Sequence, residues 1–177
     1  MALFVIYLKN KGYLEYANEE HLHDIGKFMF AFSVFWTYLW FSQYMLIWYA
    51  NIPEETTYFV SRISTDHNTG TYSGIFWFQF IINFLAPLLL LMRRGSKRSY
   101  TTVTIMAVVI IFGHWLDFYQ MIFASVASEH VELGWLDFGV AAGFVGVILY
   151  VVGNALAKYP LIARNHPFVK ESIIHHT

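Results

Sequence analysis

The chain contains no cysteine. Disulfides, thiolate zinc sites, cysteine-ligated iron–sulfur clusters and c-type haem attachment are therefore excluded within it. Charge is scarce as well. Asp, Glu, Lys and Arg make up 13% of the 177 residues, where a soluble domain carries about 25%. Neither sign dominates, since the formal net charge is −1, so no nucleic-acid partner is indicated. The segment Ala2–Leu8 is apolar but too short to span, and Lys9 and Lys11 follow it. With no basic start and no small-residue cleavage site, it reads as the last two turns of a helix that begins before Met1, and the chain as part of a longer one.

What remains is 57% hydrophobic and gathered into long runs, the signature of a membrane protein. The expected fold is an all-α four-transmembrane-helix bundle preceded by a short helix remnant. Residues 1–23 form that remnant and a cytoplasmic connection, residues 24–157 the bundle, and residues 158–177 a cytoplasmic tail. The spans fall at about 24–51, 74–92, 100–125 and 136–157. In the first, Phe28 to Ala50 is free of charge and long enough to cross a hydrocarbon core about 30 Å thick. Lys9, Lys11 and Lys27 precede it; Arg93, Arg94, Lys97 and Arg98 join spans two and three; Lys158, Arg164 and Lys170 follow span four. Alternating spans put all three groups on one side, which should be cytoplasmic. The opposite loops hold Glu54, Glu55, Asp66, Glu129 and Glu132 against a single Arg62, and Trp48, Trp77 and Trp135 lie at the outer span ends, where an aromatic belt belongs. Asn51 as a cap, Pro53 in the first turn and the acidic pair after it predict a short outer helix over about 53–63. That helix is either a simple return or a docking surface.

The feature that speaks most directly to function is His114 with Asp117. From Ser99 to Ser128 they are the only acid or base side chains apart from tyrosine, and their spacing puts them on one helix face. An Asp at mid-membrane costs about 2.5–3.5 kcal/mol on insertion scales. A partner, a water-filled cavity or a proton path must offset it. The pair is a candidate proton relay; the plainer alternative is a polar lock between helices. Gln79 and Asn83, one turn apart ahead of Pro87, are either interhelical glue or part of a polar path. Ser33, Thr37, Gln43 and Tyr44 lie among Trp36, Trp40 and Phe41, an arrangement suited to a quinone headgroup or to filling space. Gly139, Gly143 and Gly146 share a face, including a G-x-x-x-G match, and predict close helix packing. Lys27 snorkels to the headgroups. His114 is the one histidine well inside a span. His21, His23, His166, His175 and His176 offer no i, i+4 metal pair, so no metal site is expected.

The run GKFMFAFSVFWTYLWFSQYMLIWYANIPEE from Gly26 to Glu55 closely resembles the C-terminal half of the ActF family, the NrfD-like integral membrane subunits of bacterial alternative complex III. YLKNKGYLE at Tyr7–Glu15, FGHWLDF at Phe112–Phe118 and HPFVKES at His166–Ser172 extend the likeness over nearly the whole chain. Members are more than twice this length and carry two helical bundles, so the chain looks like the second bundle. The resemblance implies a bacterial cytoplasmic-membrane subunit of a quinol:electron acceptor oxidoreductase. Its partners would be a sister NrfD-like subunit and iron–sulfur and cytochrome c subunits, which hold the clusters and the haem c. The chain itself would be non-redox, with no complete active site. Quinol or quinone is a possible ligand, more readily assigned to the sister subunit. His114 and Asp117 match the family's His-x-x-Asp position. Tyr44, Gln79 and Asn83 are candidate neighbours along a proton path or against a quinone. Two other roles stay open: a structural membrane anchor for peripheral electron carriers, and a stand-alone ion or solute transporter.

Overall fold

A computed structural model describes residues 1–63, 72–126, 134–161 and 167–174, and within these the only regular structure is helix. Asp66, Glu129, Glu132, Arg164, His166, His175 and His176 lie outside the described residues.

Helix α1 (Ala2–Asn10) is followed by α2 (Glu19–Ala50), whose start is fixed by Asn18: its side-chain oxygen accepts from the amides of Glu20 and His21, each at 3.0 Å. This is the side-chain cap that relieves orphan amide donors. Asn51 ends α2 in the left-handed region at φ 49°, with its amide on the Ile47 carbonyl. Asn51 thus closes the long helix, while Pro53 opens α3 (Pro53–Ile63) in the place foreseen for the short outer helix. The next apolar rod is interrupted. It consists of α4 (Ser73–Phe80), a π-helical turn at Ile81–Leu85, and α5 (Ala86–Leu91) with Pro87 near its start. The five-residue α6 (Arg94–Arg98) carries the basic connection into α7 (Tyr100–Val126), and α8 (Trp135–Lys158) and α9 (Val169–Ile173) complete the chain.

Three of these rods are long and apolar enough to cross a membrane: Ser73–Leu91, Tyr100–Val126 and Trp135–Lys158. Their apolar surface is mostly not spent on each other, with 28%, 28% and none of the respective stretches buried. Contiguous exposed apolar surface of that extent marks contact with lipid or protein, the pattern of a membrane protein. The 32-residue α2 is longer than any of them but less hydrophobic. Trp36, Tyr38, Trp40, Ser42, Gln43, Tyr44, Trp48 and Tyr49 dilute its charge-free stretch with amphipathic and polar groups.

The packed centre lies among α2, the α4–α5 rod and α7. One apolar cluster joins Ala2 and Ile6 of α1 to Leu22, Val103 and Ala107, and another joins Tyr72 to Tyr119 and Ala124. Helix α8 stands apart: it has no buried residue, and its ring contact to the rest is Phe138 on Trp115 at 5.3 Å. A Cβ at Gly139, Gly143 or Gly146 would meet nothing within 4 Å, so among the described residues the small-residue face expected to pack is open.

Candidate functional site around Asp117

Asp117 sits half-buried on α7, and three elements converge on its carboxylate. Trp36 of α2 donates its indole Nε1–H to Oδ2 at 2.9 Å. Gln79 of α4 lies close enough to act on the carboxylate, to which only its amide nitrogen could donate, since a carboxylate only accepts. His114, one turn back along α7, meets the same indole edge-on, with ring centroids 5.9 Å apart at 72°. Among the described residues no hydrogen bond joins His114 to Asp117 directly. Trp36 bridges them instead, through its N–H to the acid and its ring to the imidazole.

Polar groups continue on both sides of the acid. The π turn, marked by the Ala86 amide bonding the Ile81 carbonyl, holds Asn83 almost fully buried, as are Gln79 and Gln120. Asn83 lies against Gly113, the residue before His114: a Cβ at Gly113 would stand 2.1 Å from Asn83 Oδ1. No side chain fits there, so glycine is what lets the rod and α7 close up beside the histidine. Among the described residues the Gln79 amide oxygen and both amide atoms of Asn83 and Gln120 have no protein partner. Each such atom costs about 1–3 kcal/mol when left dry, so a seam carrying several suits water or a transient polar guest.

Of the sequence candidates, the structure brings together His114, Asp117 and Gln79, with Asn83 adjoining through Gly113. Tyr44 is held elsewhere. It stacks on Trp40 at 6.4 Å and meets Phe59 edge-on at 5.1 Å, at the outer end of a ring column that continues through Trp40 to Trp36. Phe76 and Phe80 pack against Trp40 at 5.3 and 5.1 Å, so rings there fill against rings. Thr37 donates to the Ser33 carbonyl of its own helix, Gln43 is exposed, and Lys27 pairs with Asp24 at 3.1 Å.

Two participants escaped sequence reasoning. Gln120 lies three residues beyond Asp117, a spacing that placed it on the same face. Arg62, counted only as the lone outer cation, is 2% exposed. Its guanidinium lies 3.6 Å from the Tyr58 ring, donates to the Tyr58 carbonyl at 2.6 Å, and reaches the Gln120 and Met121 carbonyls and Ser125 Oγ at 3.4, 3.3 and 3.2 Å. Burial lowers its pKa from the ordinary value, opposed by Tyr58 and Tyr72. Arg62 thereby ties α3 to the end of α7, where carbonyl dipoles favour a cation. The i, i+4 spacing from Tyr58 was the available signal.

Two shallow grooves of about 340 and 280 Å³ lie away from Asp117, one along Val151–Leu161 and one between α1 and the start of α7. Among the described residues no group of three His, Asp or Glu could hold a metal ion. No protein-family model and no curated protein matches the chain.

Proposed function

We propose that this chain is an integral membrane subunit of a quinol-oxidising respiratory complex, in which Asp117 and His114 form part of a proton path. Helix α2 is the fourth span, and the basic ends of the helices face the cytoplasm, as does the C-terminus. The observation that carries the reading is the Asp117 carboxylate, held by Trp36 with Gln79 beside it and next to buried amides that have no partner among the described residues. An ionisable acid in such a seam is functional by default. Quinol oxidation by the complex releases two protons and two electrons. Asp117 takes up a proton and passes it along the seam past Gln120, while the electrons leave through the clusters and haems of partner subunits.

A scaffolding role is favoured by one further fact, that the Trp36–Asp117 bond joins α2 to α7. Asp117→Asn separates the two. The asparagine oxygen still accepts from Trp36, so helix joining survives while titration is lost. In the assembled complex, proton-coupled quinol turnover should fall at least about tenfold, the low end of what a positioned proton carrier contributes, with subunit composition unchanged. Normal turnover and proton movement in a fully assembled Asp117→Asn complex would leave the scaffold and discard the path.

A further inference from the structure

Arg62 is a full cation in a place where the fold supplies no opposite charge. It is almost wholly buried, and a guanidinium keeps its proton there, where an ammonium can shed it. Every acceptor it reaches is neutral: the Tyr58, Gln120 and Met121 carbonyls and the hydroxyls of Ser61 and Ser125. Among the described residues no carboxylate pairs with it, whereas Lys27 pairs with Asp24 and Arg98 with Glu20. Glu54 and Glu55 stand at the start of the same helix, about two turns away. A buried charge ordinarily has a counter-ion. This one is held by dipoles alone, so its positive field is left uncancelled.

Position decides what that field acts on. The backbone that Arg62 grips is that of Gln120, one turn beyond Asp117 on α7. The Gln120 side chain is itself buried, and among the described residues both its amide atoms lack a partner. Asn83 against Gly113, Gln79 beside Asp117, and then Gln120 follow α7 in order, and the guanidinium closes the row at its α3 end. The Tyr58 ring lies 3.6 Å from the guanidinium while oxygens of α7 fix its edge, so the charge does not swing aside. Its Nε–H is unpartnered among the described residues and has essentially no exposed surface, which leaves an anionic ligand no room beside it. Buried polar atoms in a row carry water and protons; a fixed cation at their end repels any excess proton that approaches.

We infer that Arg62 is the electrostatic gate of the polar seam: its fixed charge keeps cations and excess protons from crossing between the outer water and the buried amides when no reaction drives them. Such a barrier slows passage in both directions, and a step driven by quinol oxidation surmounts it. The inference rests on the reading of the seam as a polar path across a membrane. It does not require that Asp117 itself carry the proton.

The test uses the full chain in sealed liposomes, with valinomycin and a potassium gradient setting an inside-negative potential and a trapped pH dye reporting proton entry. The parent should stay near the rate of protein-free liposomes. Arg62→Gln, which removes the charge, should admit protons at least about tenfold faster, the low end of what a focused charge does to local ion concentration. Arg62→Lys loses the fork, but at about pH 5 even a deeply buried ammonium keeps its proton. At that pH it should be as tight as the parent, an outcome that a merely structural arginine does not give. Proton entry in Arg62→Gln equal to the parent's, or Arg62→Lys as leaky as Arg62→Gln, overturns the gate. Release of trapped carboxyfluorescein marks a misfolded variant. Should Arg62→Gln release it, Ser125 decides: Ser125→Asp sets a carboxylate against the guanidinium and should leak, while Ser125→Asn should stay tight, and any other result overturns the gate. Asp117→Asn added to Arg62→Gln separates the two readings. A leak that closes runs through Asp117; a leak that persists leaves the gate standing and discards Asp117 as its carrier.

Discussion

Replacing Gly113 by alanine probes the seam at its narrowest point. The new methyl would stand 2.1 Å from Asn83 Oδ1, 2.6 Å from Ile82 Cγ2 and 2.9 Å from Asn83 Cγ. Ordinary contact begins at 3.4 Å, so the closest approach must lengthen by about 1.3 Å (3.4 less 2.1). Asn83 is nearly fully buried and Ile82 sits on the same π turn, so neither swings away freely, and α7 must shift from the rod. A displacement of that size is enough to break the 2.9 Å bond from Trp36 to Asp117 on the same helix. Overpacking of this kind costs about 1–3 kcal/mol. Equilibrium unfolding in detergent micelles, followed by tryptophan fluorescence, measures it. Asn83→Ala in the Gly113→Ala background removes two of the three clashes and should restore part of the loss, a coupling visible in the double-mutant cycle. Gly143→Ala, mid-helix with nothing within 4 Å, is the control and should raise stability by up to about 1 kcal/mol through helix propensity alone. Equal effects at Gly113 and Gly143, or strict additivity with Asn83→Ala, would refute the close approach.

Arg62→Ala should destabilise the same preparation by about 2–4 kcal/mol through loss of its charged donors to Tyr58, Gln120, Met121 and Ser125. Arg62→Lys should recover less than half, because an ammonium cannot reproduce the fork; full recovery would mean that charge alone matters. His23 gives a pH signature. Its folded pKa is depressed by burial and by Lys27 on its own helix with Lys97, Arg98 and Arg94 on α6. The unfolded chain therefore takes up the proton first as pH falls below about 6.5, and its share of stability is present above that value and lost below it, by at most about 1.4 kcal/mol per pH unit. Denaturation midpoints between pH 7.5 and 5 should fall in the parent and flatten in His23→Gln.

Much of this was legible in the chain because length and charge-free runs are properties of a line. The helices Pro53–Ile63, Tyr100–Val126 and Trp135–Lys158 begin and end within a residue or so of where caps and charges set them. His114 and Asp117 stood out because an acid within an apolar run needs a reason. What the line could not display is rotation about each axis. Whether Tyr44 or Trp36 turns toward Asp117 depends on the angle at which α2 meets α7, and Trp36 takes the contact. Pro87 signalled an irregular helix but not the π turn that carries Asn83 to Gly113. The glycine face of α8 read as packing because small residues permit approach, yet permission does not supply a neighbour.

The wide turn at Ile81–Leu85 has a mechanical corollary. One residue beyond the α repeat sets everything after it back by about 100° relative to an unbroken helix of the same length. Phe76 and Gln79 therefore address their neighbours at one angular setting, and Pro87 and Leu91 are buried at another. The rod works as two keys cut on a single shaft, each matched to its own lock. Deleting one residue from that turn would close it to an ordinary α turn with both halves still facing as they do, whereas closing it at unchanged length would turn one of them the wrong way.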